Sequence, residues 1–187
     1  MNELPVRKNI RLKGYDYNQN GGYFITFCTK DKCEILGQIV GCGILDAPRM
    51  ELSNHGINLC NAIDFMDRHN DAIAVDKYVI MSNHVHIIVI VSDASEVQRQ
   101  GRCVRDAAPY GDGRCVRDAA PYNAIVPKFI SSIKRYTNKL AGYQLWQPRF
   151  HDHIIRNEAE YQQIWKYIDD NPAKWDEDCY YNATPCQ

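Results

Sequence analysis

The chain has 187 residues, of which 45% are hydrophobic and 24% are charged, values typical of one globular domain. Its formal net charge of −1 argues against a protein that binds nucleic acid through overall basicity. The longest apolar run, residues 87–91, is far shorter than the ~20 residues of a membrane-spanning helix, so the sequence predicts no membrane partner.

The eight cysteines show no CxxC spacing, and the start of the chain has no apolar signal-peptide core. These features favour free thiols and a cytoplasmic location over a disulfide scaffold or a zinc site.

The first half of the chain predicts strands around one helix. Residues 23–29 have the β-branched and aromatic content of a strand, and residues 35–44, broken by glycines, indicate a bent strand or hairpin. Ser53 or Asn54 is a cap for a helix that runs to about His69. Residues 75–91 hold two apolar runs separated by Ser82-Asn83, which predicts two strands or one hairpin.

A decapeptide at residues 101–110, GRCVRDAAPY, recurs identically at 113–122. Two copies are too few for a solenoid, so we interpret residues 92–122 as a mobile insertion loop within a single domain spanning residues 1–187.

The second half predicts a basic helix from Pro127 to about Leu140, a strand over residues 145–155, and a last helix capped by Asn157 that ends near Asn171. The order of elements favours an α+β fold, in which helices pack on one face of an antiparallel sheet.

The candidate metal ligands are His84 and His86. Alternate residues of a strand share a face, so both imidazoles point the same way while Val85 points into the core. Imidazole is a common metal ligand. The pattern alone is weak, because a pair of this kind is more often two ordinary polar residues.

His151 and His153 form a competing pair around Asp152. Alternation puts polar groups on both faces of that strand, which is less typical of a buried scaffold, so we favour His84 and His86. A histidine-triad hydrolase would need a third histidine at position 88, where this chain has Ile88.

Six segments of the chain resemble the HUH single-tyrosine transposases, in the branch of the REP-associated tyrosine transposases. They are residues 11–17 (RLKGYDY), 22–26 (GYFIT), 81–86 (MSNHVH), 145–150 (LWQPRF), 152–156 (DHIIR) and 167–172 (YIDDNP). Residues 92–122 have no counterpart in the family pattern.

The resemblance implies a ferredoxin-like (RRM-like) fold, a divalent metal, Mg²⁺ or Mn²⁺, and a tyrosine that bonds to a DNA 5′-phosphate. Tyr167 matches that tyrosine, and Asn171, one helical turn further on, matches the third metal ligand. Pro172 disfavours a helical conformation at Asn171, so a capping role is the alternative. Tyr136 is the second choice for the nucleophile.

Basic residues in two segments are the candidate DNA contacts. Residues 123–149 contain no acid, and the N-terminal segment is also basic. Tyr136 is placed to stack on a base. The predicted contacts are Arg7, Lys8, Arg11, Lys13, Lys128, Lys134, Arg135, Tyr136, Lys139 and Arg149.

The predicted function is metal-dependent nicking and rejoining of single-stranded DNA at hairpin-associated repeats, by a monomer or homodimer. One alternative is a non-catalytic RRM-like module that binds single-stranded RNA or DNA, which would leave the histidine pair and Tyr167 unexplained. The other is a domesticated transposase without mobility.

Overall fold

The computed structural model describes residues 19–41, 47–92 and 125–181. The strands are β1 (Gly21–Cys28), β2 (Gly37–Val40), β3 (Arg49–Leu52), β4 (Ile73–Ile80), β5 (His84–Val91) and β6 (His151–Ile155). The helices are α1 (Asn54–Arg68), α2 (Ile125–Ala141) and α3 (Glu158–Asp170). One 3-10 turn, Lys30–Lys32, comes after β1, and another, Asn171–Glu177, comes after α3.

Within the described ranges, the main sheet has four strands in the order β4-β5-β1-β6, and each pair is antiparallel. In this part of the chain β5 and β1 are therefore central, whereas β4 and β6 are edges. β2 and β3 form a separate two-stranded sheet. The prediction of an α+β fold with an antiparallel sheet is confirmed.

One face of the main sheet, which we call the core face, carries the apolar residues of the central strands. Tyr23, Ile25, Val85 and Ile87 are fully buried there. α1 and α2 cover this face, and their buried side chains join the same cluster. Alternation along β1 and β5 follows from the period of two in a strand, so the intervening residues point to the opposite face.

That opposite face, the site face, carries Phe24, Thr26, His84 and His86. α3 lies over it: Asp169 forms an ion pair with Lys77 of β4 at 2.6 Å, and the Lys77 ammonium lies 3.9 Å from the centre of the Trp165 ring. The expectation that all helices share one face therefore holds for α1 and α2 and is corrected for α3.

The predicted starts of α1 and α3 are confirmed, whereas α2 begins at Ile125, two residues before the predicted Pro127. The Ser53 side chain accepts a hydrogen bond from the amide of Gly56, and Asn157 accepts one from the amide of Glu160 at 2.9 Å. Each cap satisfies an amide that has no partner inside its own helix.

Two strand predictions need correction. β3 is absent from the prediction, and only His151–Ile155 of the predicted strand over residues 145–155 is extended. Trp146 instead forms an isolated bridge with Thr29, and its indole donates to Thr137 at 2.7 Å. Residues 93–122 of the predicted insertion lie outside the described residues.

The expectation of free thiols is wrong for one described cysteine. Cys33 is disulfide-bonded, whereas Cys28, Cys60 and Cys179 are free.

Within the described residues, no helix combines the length and the apolar content needed to cross a membrane.

Candidate metal and nucleophile site

His84 and His86 begin the central strand β5 and converge on one point of the site face. Their side chains are buried, and their Nε2 atoms lie 2.9 Å apart. Val85 between them is fully buried in the core cluster, so the strand beneath the pair is anchored from the other side.

Outer hydrogen bonds fix the orientation of both rings. His84 Nδ1 lies 2.9 Å from Asn83 Oδ1, and Asn83 is itself held because its amide nitrogen donates to the Tyr180 carbonyl at 2.9 Å. His86 Nδ1 lies 2.7 Å from the Thr26 hydroxyl. A proton on Nδ1 of His84, donated to Asn83, leaves Nε2 bare, the state that a metal ligand needs.

Burial keeps both imidazoles neutral. It lowers the pKa of His84 to about 4, against the opposing charge of Asp178, and it lowers the pKa of His86 to about 3, assisted by His84. At neutral pH neither ring has to lose a proton before it binds a metal.

Tyr167, near the end of α3, brings a hydroxyl to the pair. Its oxygen lies 3.1 Å from His86 Nε2 and donates to Asp178 Oδ2 at 3.0 Å. The ring meets Phe24 edge-on, while 41% of the residue is exposed. Burial of the hydroxyl, followed by the Asp178 carboxylate, raises the pKa of Tyr167, so the proton resides on the tyrosine.

Asn171 lies one turn beyond Tyr167 and is 3% exposed. Its backbone is helical, with φ −58° and ψ −44°, because the chain continues into a 3-10 turn through Pro172. The expected loss of helical geometry before the proline is therefore wrong. Its amide nitrogen donates to Asp178 Oδ2 at 3.1 Å, whereas its buried Oδ1 has no hydrogen-bond partner within the described residues.

Asp178 also belongs to the site, although it is not among the residues predicted from the sequence. Its Oδ1 accepts from the Tyr180 amide at 2.7 Å, which turns the chain back over the pair so that the Tyr180 ring lies 4.6 Å from the His84 ring. Ligand atoms of His84, His86 and Asp178 lie within 4.8 Å of one another. Because the 3-10 turn makes this approach, no strand or helix period links position 178 to the histidines.

The residues fit a divalent cation. Two ligands at right angles on an ion with ~2.1 Å bonds lie about 3 Å apart, which matches the separation of the histidine Nε2 atoms. The buried Asn171 Oδ1, without a hydrogen-bond partner in the described chain, is an oxygen acceptor that a cation would satisfy. Nitrogen and oxygen donors of this kind suit Mn²⁺, and the oxygens suit Mg²⁺.

The competing pair occupies the same face but the edge strand. His151 is exposed, and His153 Nε2 lies 2.7 Å from Glu160 Oε1, so this ring is held by the first turn of α3. Tyr136, the second choice for the nucleophile, lies on α2 against the core face and is not brought to the site.

The structure separates the predicted DNA contacts. Arg7, Lys8, Arg11 and Lys13 lie outside the described residues. Side chains exposed on α2, behind the core face, are Lys128, Arg135, Tyr136 and Lys139, and Arg149 is exposed just before β6.

Lys134 requires a correction. It is buried, and its ammonium donates to the carbonyls of Gln147 and Arg149 at 2.9 and 2.8 Å. Burial lowers the pKa of Lys134 to about 8. Its role is to hold the segment before β6, and it presents no exposed charge to DNA.

No family model matches the chain. An uncharacterised protein of Haemophilus influenzae is 29% identical over 177 residues, which cover 94% of this chain and 93% of that protein. A solved REP-associated tyrosine transposase bound to a REP hairpin is similar over 94% of this chain and 74% of that chain, with a TM-score of 0.54 and 20% identity.

A candidate transposase of Deinococcus radiodurans is also similar, with a TM-score of 0.42 and 14% identity, over 88% of this chain and 97% of that chain. The first of these two solved structures establishes the fold. This chain has the fold of a REP-associated tyrosine transposase, in agreement with the resemblance of its sequence segments.

Proposed function

We propose that the chain is an HUH single-tyrosine transposase, a divalent metal-dependent enzyme that nicks and rejoins single-stranded DNA beside a hairpin. The observation that carries the proposal is the contact of the Tyr167 hydroxyl with the buried histidine pair, at 3.1 Å from His86 Nε2. The solved structural neighbour was bound to a REP hairpin, which supports a hairpin substrate. A cytoplasmic location stays a prediction from sequence.

The metal would be held by His84, His86 and Asn171, with Asp178 as a carboxylate within reach. Bound there, a Mg²⁺ or Mn²⁺ ion supplies positive charge that polarises the scissile phosphate and stabilises charge in the transition state. Two imidazoles and one amide leave the ion's charge undiminished, whereas Asp178 would reduce it by one.

Tyr167 acts as the nucleophile. Its hydroxyl loses its proton as the oxygen attacks phosphorus, and the bond from phosphorus to the 3′ oxygen breaks. The 3′ oxygen takes up one proton and leaves as a hydroxyl, so one proton is released and one is taken up. One phosphodiester bond is exchanged for one phosphotyrosine bond, so no ATP is consumed. The freed 3′-hydroxyl can reverse the reaction and rejoin the strand.

Asp178 and Asn171 orient the nucleophile. Hydrogen bonds from the Tyr180 amide, the Asn171 side chain and the Tyr167 hydroxyl hold the pKa of Asp178 low despite its burial, so the carboxylate is ionised and accepts from the tyrosine. This contact aims the hydroxyl oxygen at the space beside His86.

The test is covalent capture. Wild-type protein with Mn²⁺ and an end-labelled single-stranded oligonucleotide carrying a hairpin should give a protein–DNA adduct on a denaturing gel. Tyr167→Phe keeps the ring against Phe24 and removes only the hydroxyl, so it should bind DNA and form no adduct.

Tyr136→Phe, which removes an exposed hydroxyl on α2, is the matched control and should form the adduct normally. An adduct from Tyr167→Phe but not from Tyr136→Phe would show that the nucleophile is wrong. Binding without an adduct from the wild type would favour a non-catalytic module. A mobility assay distinguishes an active transposase from a domesticated one.

A further inference from the structure

We propose that a groove beside Tyr167 binds the nucleotide on the 3′ side of the cut, with its base inside the groove and its next phosphate at the rim. The inference rests on the proposed function, because it assigns a place to the nucleotide that stays attached to Tyr167. The groove would hold one nucleotide of a single strand, and it adjoins the candidate metal site, with which it shares Asn171 and Asp178.

The groove has the size of a ligand site. Its volume is about 520 Å³, within the ~300–1,000 Å³ range of small-molecule pockets. It runs along one side of α3 and the following 3-10 turn. Its lining residues are Gln163, Lys166, Tyr167, Asp170, Asn171, Lys174, Glu177, Asp178 and Cys179.

The groove is continuous with the nucleophile. Tyr167, Asn171 and Asp178 belong both to the groove and to the hydrogen-bonded group around His86. Any molecule in the groove therefore lies next to the Tyr167 ring and near the atoms that take part in the reaction.

The chemistry selects which nucleotide fits. In a phosphoryl transfer the attacking and leaving oxygens are roughly in line, so the 3′ oxygen of the upstream nucleotide departs on the side away from Tyr167. The downstream nucleotide stays bonded through its 5′-phosphate to the Tyr167 oxygen. A groove that Tyr167 itself lines is within reach of this downstream nucleotide.

The charges decide how the nucleotide enters. The carboxylates of Asp170, Glu177 and Asp178 line the groove and would repel a phosphate, whereas they accept hydrogen bonds from exocyclic amino groups of bases. The base therefore enters the groove. Adenine, cytosine and guanine carry such an amino group and thymine lacks one, so thymine should be the weakest base here.

Two side chains remain available for recognition. Gln163, one turn before Tyr167, offers a side-chain amide donor and acceptor, and this side chain makes no hydrogen bond with another described residue. Lys166 is exposed and forms no ion pair with another described residue, while Lys174 is already paired with Asp170 at 3.2 Å. Lys166 is thus the cation for the following phosphate.

The test compares oligonucleotides with adenine, thymine or an abasic site immediately 3′ of the cut. For the wild type, KM for adduct formation should rise about 10-fold from adenine to the abasic site, the size expected for losing one or two hydrogen bonds. Gln163→Ala should raise KM for the adenine substrate several-fold. The further rise in KM from adenine to the abasic site should then be smaller than in the wild type, because only the bonds to the carboxylates remain.

Gln162→Ala is the matched control, because Gln162 lies on the same helix, outside the groove, with its amide bonded to Glu158 at 2.6 Å. It should keep the full 10-fold cost of the abasic site. Lys166→Ala should weaken binding of all three oligonucleotides equally and reduce the salt dependence of KM.

A second readout measures affinity without chemistry, by fluorescence anisotropy of the same oligonucleotides on Tyr167→Phe protein. The groove would not be the base site if the abasic oligonucleotide raised KM and weakened binding by the same factor in the wild type, in Gln163→Ala and in Gln162→Ala. If the wild type forms no adduct with any oligonucleotide, the proposed function fails, whereas an adduct with equal abasic costs removes this inference alone.

Discussion

Two pairs of histidines, each separated by one residue, lie on the same face of the main sheet. They are His84 and His86 on β5, and His151 and His153 on β6. The register places His86 and His151 opposite the same residue, Thr26, on its two sides. The first pair is on a central strand and is buried, whereas His151 on the edge strand is exposed. The Thr26 hydroxyl forms its hydrogen bond with His86 Nδ1, at 2.7 Å.

The difference shows that the position of a strand in the sheet determines the burial and the hydrogen-bond partners of its two histidines. A central strand is covered by neighbours on both sides, so its histidines lose solvent and gain fixed partners such as Asn83 and Thr26. The edge histidine His153 finds a carboxylate on α3 instead. The same spacing of two histidines thus has different surroundings on the two strands, and we expect a metal site at the first pair and a strand-to-helix contact at the second.

The largest expected effect tests this division directly. His84→Ala with His86→Ala should abolish Mn²⁺ binding in titration calorimetry and lower adduct formation by more than about 100-fold, because the ligands that converge on the ion are gone. The same double substitution at His151 and His153 is the matched control and should change both quantities by less than about 3-fold. Equal losses from the two double variants would contradict the assignment.

The next effect concerns the partners rather than the ligands. Thr26→Val keeps the shape of the side chain and removes the hydroxyl 2.7 Å from His86 Nδ1. Metal affinity should fall by about 10–100-fold, as is usual when the outer partner of a ligating histidine is lost. Glu160→Gln alters the corresponding partner of His153 and should leave Mn²⁺ affinity unchanged, as measured by calorimetry. A smaller loss for Thr26→Val than for Glu160→Gln would reverse the comparison.

Much of this contrast could be predicted from sequence. The apolar run after His86 indicates a buried strand, and the polar Asp152 between the other two histidines indicates a less buried one. The caps Ser53 and Asn157 fix the helix starts because they depend on neighbours within three residues. Tyr167 and Asn171 were placed by the resemblance, and their proximity to His86 needed the fold.

Features that depend on tertiary packing were not predicted from the sequence. Asp178 reaches the site only because a 3-10 turn leads the chain back over His84. Lys134 has the sequence context of a surface cation, and its burial depends on carbonyls 13 and 15 residues away. The helical period places Lys134 beside Ile130 and Ile133 in the buried stripe of this helix, so its burial had a signal in the sequence, whereas the carbonyls that bind its ammonium could not be predicted.

The pH dependence of stability should also distinguish the pairs. In metal-free protein, burial holds the pKa values of His84 and His86 at about 4 and about 3, below the ~6.5 of an unfolded chain. Between these values the unfolded chain binds more protons, so the free energy of unfolding falls as pH is lowered from about 6.5 to about 4.

We expect a fall on the order of 1 kcal/mol per pH unit for each buried histidine, measured by urea unfolding in the presence of a chelator. His86→Gln should reduce this slope, and the double substitution of His151 and His153 should keep it. An unchanged slope in His86→Gln would show that the buried pair does not control acid stability.

The smallest expected effect concerns DNA binding by Arg149, which precedes the edge strand β6. Its side chain is exposed, whereas Lys134, which bonds to its carbonyl, is buried. Arg149→Ala should weaken binding of the hairpin oligonucleotide only a few-fold and lower the slope of log affinity against log salt by about 1, because one phosphate contact is lost.

Lys134→Met should instead lower the melting temperature and keep the salt slope, because it removes the donor that holds the Gln147 and Arg149 carbonyls. Arg68→Ala, at the end of α1 on the other face, is the control and should change neither quantity. Salt titrations by fluorescence anisotropy measure the slopes. If Lys134→Met lowered the slope while Arg149→Ala did not, the buried lysine would be the DNA contact, and the edge strand would contribute neither metal ligands nor phosphate contacts.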